Sequence, residues 1–352
     1  MLVTIDQLNK LPFAKFLNDY PQFNIKAGDL VSTHESKFIG YYDEGDTKLD
    51  VSIKVDGLIA KEFIDIIITN FNEASAEFIS TNLYVNCDLQ CAQSILHKAF
   101  KILYHLALDY ECIENALMLL YLDESNHGIN VGIISAFLAL KSERYDLQSI
   151  IHIVAGAFLH DMCWIYSKPF ITNDMSVAEY ERYIKHPAEA YTLIKDLPNL
   201  PDASKKIVLM HHVWLEPALS YRKGFKYSFP DSYDGKVFLH TARDISIGIV
   251  QVADDYDLLT NPYFVPVVDK KEVIEKLYSQ QYTKYGSAAE IFYYNFTPYK
   301  IGSEVVLSNN KIAQVIEYTN IVDKPIVKVR SIFRNYTLDL SKTKIHIKQE
   351  VT

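Results

Sequence analysis

The chain has 352 residues, 49% of them hydrophobic, so it can bury a sizeable core and is expected to form two or three domains. Its formal net charge of −9 argues against a surface for DNA or RNA polymers, because neutralising their phosphates takes clustered Lys and Arg. The four cysteines lack a paired pattern, which argues against a disulfide framework or a zinc ribbon and favours a reducing cytoplasm.

Residues 1–87 predict a separate α/β module. The stretches FIGYYDE and LDVSIKVD carry β-branched and aromatic residues, as strands do, and LIAKEFIDIIITNF has apolar positions at helical spacing. The first residues lack a signal-peptide pattern, and no run approaches the roughly 18 apolar residues of a membrane span, so we expect a cytoplasmic protein. The module carries no recognisable chemistry, and we expect it to serve sensing or homodimer formation.

Residues 88–296 predict a helical bundle. The runs LQCAQSILHKAFKILYHLAL, CIENALMLLYLDESNHGINVGIISAFLAL and LQSIIHIVAGAFLHDMCWIY are almost continuously helical in pattern. Pro and Gly are nearly absent from them, as helix interiors require. The histidines and aspartates within and after these runs are the candidates for chemistry.

His127 is the first of these candidates. It is followed at helical spacing by Val131, Ile134 and Leu138, so its imidazole should project from the buried face of a helix. A single histidine in such a place is ordinarily a hydrogen-bonded core residue. The functional interpretation of His127 therefore depends on the residues that follow.

The stretch Ile150–Trp164, IIHIVAGAFLHDMCW, is the segment around which we expect the chain to be organised. It is an apolar helical run that ends in the adjacent pair His160–Asp161. Imidazole nitrogen and carboxylate oxygen suit Zn, Mn and Fe, and a carboxylate can bridge two ions where an imidazole cannot. A lone His-Asp pair at a helix end is more often a capping or surface feature, so a metal site requires further ligands.

Further candidates follow along the chain. His186 precedes Pro187, which we expect to begin a new helix, where proline is tolerated. The apolar helix KKIVLMHHVWL ends in His211 and His212, and adjacent helix residues diverge by about 100°. Both histidines therefore reach one metal cluster only if it lies at the end of the helix. Asp254 closes the set after another apolar run.

These contexts together resemble a known family. Their order along the chain is His127, His160–Asp161, His186–Pro187, His211–His212 and Val252–Ala253–Asp254. This order resembles the HD-GYP branch of the HD superfamily of metal-dependent phosphohydrolases, and FTPYKIGSEVVLSNNKIAQVIEYTNIVDKPIVKV is similar to the small β-rich tail of that family. The resemblance implies a mainly α fold, with an HD-type helical bundle over residues 88–296 and a β-rich C-terminal extension over residues 297–352.

The resemblance also implies a metal centre and an activity. Members of the family hydrolyse the bacterial second messenger cyclic di-GMP, and we expect hydrolysis of it or a related cyclic dinucleotide to the linear dinucleotide. The implied cofactors are two divalent transition-metal ions, Fe or Mn, with Asp161 as the bridge and His160 and Asp161 as the catalytic pair. Two such ions share a hydroxide of lowered pKa and clamp a phosphate diester for in-line attack. The implied metal ligands are His127, His160, Asp161, His186, His211, His212 and Asp254.

The chain also departs from the family pattern. Trp164 stands where the family carries a lysine three positions after the Asp, the Gly-Tyr-Pro loop is absent, and TNPYF replaces a stretch that contains an arginine. The metal ligands are thus kept while residues that contact the substrate are not. Five cationic residues are candidates for phosphate contacts or simple surface charges: Lys168, Arg222, Lys223, Lys226 and Arg243.

Asp123 is a candidate ligand for a third metal. It lies four residues before His127, which would place it one helical turn away on the same face. Some family members carry a Glu at this position that binds a third ion, whereas Asp is shorter by a methylene. The alternative is an ordinary helix-face carboxylate, and we expect two firmly held metals and a third that is weak or absent.

Two functions are consistent with these residues. The first is an active phosphodiesterase, favoured because so many buried histidines have no chemical purpose in a pure receptor. The second is a catalytically weak or inactive receptor for a cyclic dinucleotide that signals through its N-terminal module, favoured by the missing lysine, arginine and Gly-Tyr-Pro loop. The sequence favours the enzyme.

Overall fold

The computed structural model describes most of the helical region and of the C-terminal region. The described residues are 2–3, 8–34 except 9, 12 and 13, 51–54, parts of 65–73, 89–165 except 124 and 126, 177–212, parts of 221–226, 244–261 and 270–351 except 298, 300, 320–323 and 332–333. The predicted strand FIGYYDE lies outside them.

Helices dominate the middle of the chain. Those that the structure describes are α1 (Leu89–Asp109), α2 (Glu111–Leu122), α3 (His127–Lys141), α4 (Leu147–Leu159), α5 (Val177–Ile194), α6 (Asp202–Met210), α7 (Ile245–Thr260), α8 (Lys270–Ser279) and α9 (Ser287–Asn295). Two begin with an aspartate cap: Asp146 accepts a hydrogen bond from the Ser149 amide before α4, and Asp244 accepts one from Ser246 before α7. Such caps satisfy amides that the helix leaves unpaired.

The helix α4 lies at the centre of the bundle. It packs against α1, α3 and α6, and α3 packs against α7 in turn. Gly156 permits the close approach of α4 to α6, because a Cβ there would lie 2.9 Å from the side chain of Ile207. Central placement buries the apolar residues of α4 and leaves the polar pair at its C-terminal end.

The N-terminal residues contribute short strands to an antiparallel sheet. The strands β1 (Leu2–Val3), β2 (Lys15–Phe16) and β3 (Val51–Lys54) pair in the order β1-β3-β2. Phe71 packs edge-on against Phe100, with ring centroids 4.8 Å apart, so this region shares a core with the helices. The boundary at residue 87 stays a prediction.

The C-terminal region is a sheet with a core of its own. Its strands are β6 (Glu304–Leu307), β7 (Ile312–Glu317), β8 (Ile326–Val329), β9 (Tyr336–Asp339) and β10 (Ile347–Glu350), and a short hairpin, β4 (Tyr221–Arg222) with β5 (Phe225–Lys226), precedes them in the chain. The strands β6 to β10 form an antiparallel sheet in the order β10-β6-β7-β8-β9, and residues such as Val305, Leu307 and Val315 alternate along them as buried positions. The hairpin of β4 and β5 is a separate two-stranded sheet. The predicted class, mainly α with an α/β beginning and a β-rich C-terminal tail, is confirmed.

The helix α5 corrects one prediction. It runs from Val177 to Ile194 with Pro187 in its interior, so the expectation that Pro187 begins a new helix is wrong. Proline has no N–H to donate, so the helix gives up one hydrogen bond there. Packing against α6 and against the 3-10 turn Met162–Ile165 holds the helix together through this position.

None of the described helices has the length and apolar character that crossing a membrane requires.

Candidate metal centre

The predicted ligands meet where several helices end. His127 is the first residue of α3, His160 and His211 directly follow α4 and α6, and Asp254 lies in α7. Because α6 ends at Met210, both members of the His211–His212 doublet reach the same cluster. The side chains that lie together are His127, His160, Asp161, His186, His211, His212 and Asp254.

One side of the cluster, here called the carboxylate half, consists of two histidines facing two carboxylates. The Nε2 atom of His127 lies 3.1 Å from Oδ1 of Asp254 and 3.8 Å from Oδ2 of Asp161. The Nε2 atom of His160 lies 3.7 Å and 3.4 Å from the same two oxygens. Nitrogen and oxygen atoms from all four side chains therefore converge on one small volume.

The other side, here called the imidazole half, consists of His186, His211 and His212. The Nε2 atoms of His186 and His211 are 2.9 Å apart, and the rings of His211 and His212 have centroids 4.3 Å apart. Ring nitrogens of all three lie within 4.8 Å of one another. Three imidazoles at this spacing are a donor set that suits a transition metal.

Asp161 joins the two halves. Its Oδ2 faces the carboxylate half, while its Oδ1 lies 3.0 Å from Nε2 of His186 and 3.9 Å from Nε2 of His211. Asp161 is also 28% exposed, whereas the side chains of His186 and His211 are fully buried. A carboxylate with one oxygen directed to each side has the geometry of a bridging ligand.

The histidine tautomers fit a metal. The Nδ1 atoms of His160 and His211 bond the backbone carbonyl oxygens of Ala157 and Val208, at 2.6 and 2.8 Å. A carbonyl oxygen only accepts, so each Nδ1 carries a proton, and Nε2 is the ring atom that faces the cluster and would bind an ion when it is not protonated. Within the described part of the chain, the buried Nε2 of His160 makes no well-formed hydrogen bond. This arrangement has the form of a ligand set held in place by outer hydrogen bonds.

Asp257 is a functional candidate that sequence reasoning missed. Its Oδ2 lies 2.7 Å from Nδ1 of His127, and its Oδ1 accepts a hydrogen bond of 2.7 Å from Asn130. Asn261 donates to Oδ2 at 3.2 Å. The buried carboxylate thus orients His127 from behind. Its position three residues after Asp254, on one side of a helix, was the signal that could have found it.

Charges within the carboxylate half shift its pKa values. Burial alone disfavours a charged imidazole, but the carboxylates of Asp254 and Asp257 raise the pKa of His127 well above its usual value. Burial is likewise outweighed at His160, whose pKa rises to about 10 beside Asp161 and Asp254. In the absence of metal, His127 and His160 are therefore protonated, and their positive charge balances the negative charge of the surrounding carboxylates.

The imidazole half behaves in the opposite way. Burial, followed by the neighbouring His212, His160 and His186, lowers the pKa of His211 well below its usual value. Burial and His186 lower the pKa of His212 to about 3. These two rings are therefore neutral at physiological pH, as metal coordination requires.

Asp123 does not lie where the sequence suggested. The helix α2 ends at Leu122 and α3 begins at His127, so the two residues do not share a helix face and the expectation of one helical turn is wrong. The Oδ1 atom of Asp123 accepts hydrogen bonds from the amide and hydroxyl of Ser125, at 3.0 and 2.5 Å. The turn that contains Ser125 separates α2 from α3. Among the described residues, Asp123 belongs to none of the clusters of His and Asp side chains that could hold a metal ion.

The remaining candidates have varied positions. The indole of Trp164 is buried against His186, with ring centroids 4.8 Å apart, so it packs beside the imidazole half. Arg222 and Lys226 lie on the hairpin of β4 and β5. The other cationic residues considered from the sequence lie outside the described residues: Lys168, Lys223 and Arg243.

Comparisons with known proteins find similarity in solved structures alone. No family model and no curated protein matches the chain. Bd1817, an HDG"Y"P protein from Bdellovibrio bacteriovorus, is similar with a TM-score of 0.42 and 17% sequence identity, over 83% of this chain and 98% of that one. The HD domain of the L. monocytogenes phosphodiesterase PgpH has a TM-score of 0.37 and 13% identity, over 50% of this chain and 91% of that one. Similarity at this level carries no argument about chemistry, which rests on the side chains of this chain.

Proposed function

We propose that the protein is a metal-dependent phosphodiesterase that hydrolyses cyclic di-GMP, or a related cyclic dinucleotide, to the linear dinucleotide. The observation that carries this proposal is the orientation of Asp161, which directs one carboxylate oxygen to each of two adjoining donor sets. A pair of donor sets that share one carboxylate is typical of two-metal phosphoesterase chemistry.

The proposed centre assigns one ion to each half. His127, His160 and Asp254 would hold the first, and His186, His211 and His212 would hold the second, while Asp161 faces both halves. Mixed nitrogen and oxygen ligation fits Fe or Mn. When bound, two such ions lower the pKa of a water and neutralise charge on a phosphate diester.

The protein's own residues contribute position and exclusion of water. Asp257 and two backbone carbonyls fix three of the imidazoles, so little reorganisation accompanies binding. Burial of His160 and His186 keeps solvent from their part of the centre, while Asp161 and His212 are 28% and 15% exposed and are the ligands that we expect a substrate to approach. Low dielectric around the cluster strengthens each electrostatic interaction there.

The choice of a cyclic dinucleotide rests on the order of motifs in the sequence, which resembles the HD-GYP branch. The alternative is a receptor that binds the same ligand without turnover. The absent Gly-Tyr-Pro loop and Trp164 favour that alternative, because substrate-positioning groups supply much of an enzyme's rate. We therefore expect slow hydrolysis by the enzyme, well below the rates of well-evolved members.

One experiment distinguishes these functions. The full chain, purified without oxygen and analysed for metal, is incubated with cyclic di-GMP while binding and separated products are followed. Slow appearance of the linear dinucleotide that Asp161→Asn abolishes, and that the exposed-site control Asp109→Asn retains, supports the enzyme. Tight binding without any product supports the receptor. Absence of both binding and product contradicts the proposed ligand.

A further inference from the structure

The turn that precedes α3 has hydrogen bonds of its own. Asp123 accepts from the amide and the hydroxyl of Ser125, and the Oγ atom of Ser125 accepts a hydrogen bond of 3.1 Å from the amide of His127. Ser125 and His127 are both buried. Because the two residues are bonded directly, the position of Ser125 helps to decide where the backbone of His127 lies.

A side chain at the end of α7 connects this turn to that helix. Asn261 directly follows α7, and its Nδ2 atom donates a hydrogen bond of 2.7 Å to the backbone carbonyl oxygen of Ser125. The same atom lies 3.2 Å from Oδ2 of Asp257, to which it also donates. One amide group therefore contacts both the turn before His127 and the carboxylate that orients the ring of His127.

A primary amide suits this pair of contacts. It has two N–H donors on one nitrogen and carries no charge, so it can donate to two oxygens and leave the charge of the site unchanged. A serine or threonine hydroxyl has a single donor. A lysine has enough donors, but its charge would compete with His127 for the carboxylate of Asp257.

The position of His127 leaves little tolerance for movement. Its Nδ1 atom lies 2.7 Å from Oδ2 of Asp257, while its Nε2 atom lies 3.1 Å from Oδ1 of Asp254 on the other side of the ring. A shift of the turn would therefore move Nε2 relative to the other candidate ligands. Asn130, by comparison, belongs to α3 and bonds Oδ1 of Asp257 at 2.7 Å, so it supports the carboxylate without connecting it to the turn.

We infer that Asn261 is a positioning residue for the first metal ion, which it serves by fixing both the backbone and the ring of His127. The helix α7 carries Asp254 and Asp257, and Asn261 joins the turn before α3 to the end of that same helix. The candidate ligands His127 and Asp254 are thereby held at one distance from each other. The inference rests on the proposed function, since the ion belongs to that proposed centre.

The test measures the Mn²⁺ affinity of the carboxylate half by competition with a chelator, in the full chain carrying His186→Ala. Asn261→Leu removes both donors at similar size and should weaken Mn²⁺ binding by about tenfold, as loss of an outer hydrogen-bonding partner does. Asn261→Ser keeps one donor and should lose less. Asn130→Leu should also lose less, because the contact with the turn remains. Asn199→Leu, at an exposed position, is the control and should bind as the background does.

Two further measurements distinguish positioning from a structural role. The melting temperature of the metal-free chain reports the effect of each substitution on the fold alone. The Mn²⁺ affinity of the imidazole half, measured in a chain carrying His127→Ala, should not change with Asn261→Leu. An unchanged affinity of the carboxylate half together with a lower melting temperature overturns the inference, and so does equal weakening in both halves.

The outcomes also separate this inference from the proposed function. Loss of Mn²⁺ affinity confined to the carboxylate half, in a chain whose wild type does not hydrolyse cyclic di-GMP, supports the inference and contradicts the phosphodiesterase. A wild type that binds no Mn²⁺ contradicts both. If Asn261→Leu does not fold, Asn261→Ser is compared with Asn130→Leu, and a wild-type affinity in Asn261→Ser overturns the inference.

Discussion

The two halves of the cluster use the same kinds of side chain and reach opposite protonation states. In the carboxylate half, Asp254 and Asp161 face His127 and His160, and the pKa of His160 rises to about 10. In the imidazole half, burial and the neighbouring His186 outweigh the carboxylates of Asp254 and Asp161, and the pKa of His212 falls to about 3. Neighbouring charge therefore decides what burial alone cannot, because burial lowers the pKa in both halves.

This difference indicates how each half would select a metal. A carboxylate half supplies negative charge and accepts any divalent ion that can displace its protons. An imidazole half supplies neutral nitrogen donors, which favour transition metals over Mg²⁺ and Ca²⁺. Substitutions that act on both halves, on one or on neither should therefore differ in how much metal the protein loses.

The largest effect is expected for Asp161→Asn. Because its two oxygens face different halves, the substitution should remove most of both ions, from about two per chain to near zero. Metal analysis of the anaerobically purified protein measures this, with Asp109→Asn as the exposed control. Retention of both ions by Asp161→Asn, or a metal-free and fully folded wild type, would contradict a shared bridge.

His186→Ala should remove one ion and leave the other. The substitution deletes a donor 2.9 Å from His211 while the carboxylate half keeps His127, His160 and Asp254. Metal content should fall from about two ions to about one. Equal loss of both ions would show that the halves do not bind independently.

Asp257→Asn should lower the metal affinity of the carboxylate half by about 10- to 100-fold. This is the usual effect of losing a carboxylate that accepts a hydrogen bond from a histidine ligand. The amide cannot accept the proton of His127 Nδ1 as a carboxylate does, although it preserves size. Titration with a competing chelator measures the affinity, and Asp196→Asn on an exposed position is the control. An unchanged metal affinity would show that the hydrogen bond between Asp257 and His127 serves the fold and not the metal site.

The pH dependence should also differ between the halves. Metal must displace protons from His127 and His160, whose pKa values are raised, so affinity in the carboxylate half should increase between pH 6.5 and 8.5 by up to about tenfold per pH unit for each proton displaced, or about a hundredfold for both. His186→Ala isolates that half for titration. Without metal the same protonated rings stabilise the fold fully below the usual pKa of 6.5, and this contribution is lost as pH rises through about 10. A flat affinity profile would contradict the assignment.

The smallest effect is expected for Asp123→Ala. Its carboxylate bonds the turn at Ser125 and is not grouped with the cluster, so metal content should stay near the wild-type value and activity should fall only modestly. Metal content is measured in parallel for His186→Ala, which shows the loss expected when a metal ligand is removed. Loss as severe as in that variant, or a fully occupied third metal on Asp123, would refute the two-metal assignment.

His160, His211 and Asp254 could be located because each follows an apolar helical run that the pattern identifies. His127 precedes such a run, and His186 was located by the order of the motifs. The convergence of His211 and His212 required a helix end, and α6 does end at Met210. Helix boundaries were harder: a turn separates Asp123 from His127, and Pro187 lies inside a helix whose packing outweighs the lost hydrogen bond. Local propensity carries no information about such packing.

Partners supplied by distant segments could not be predicted in full. Asp257 meets His127 across 130 positions of the chain. Its spacing from Asp254 places the two aspartates on the same side of a helix, but nothing in the local pattern identifies the imidazole that Asp257 contacts. The resemblance that guided the ligand set does not extend to Asp257.

The candidate ligands come from helices that are far apart along the chain, from His127 at the start of α3 to Asp254 in α7. An ion that binds only when those helices are together acts as a cross-link, since it closes a long loop that the unfolded chain leaves open. At a free concentration one hundred times its Kd, each ion would stabilise the fold by about 2.7 kcal/mol. Chelation would then lower the melting temperature as well as the activity, and the amount of folded protein would follow the metal supply.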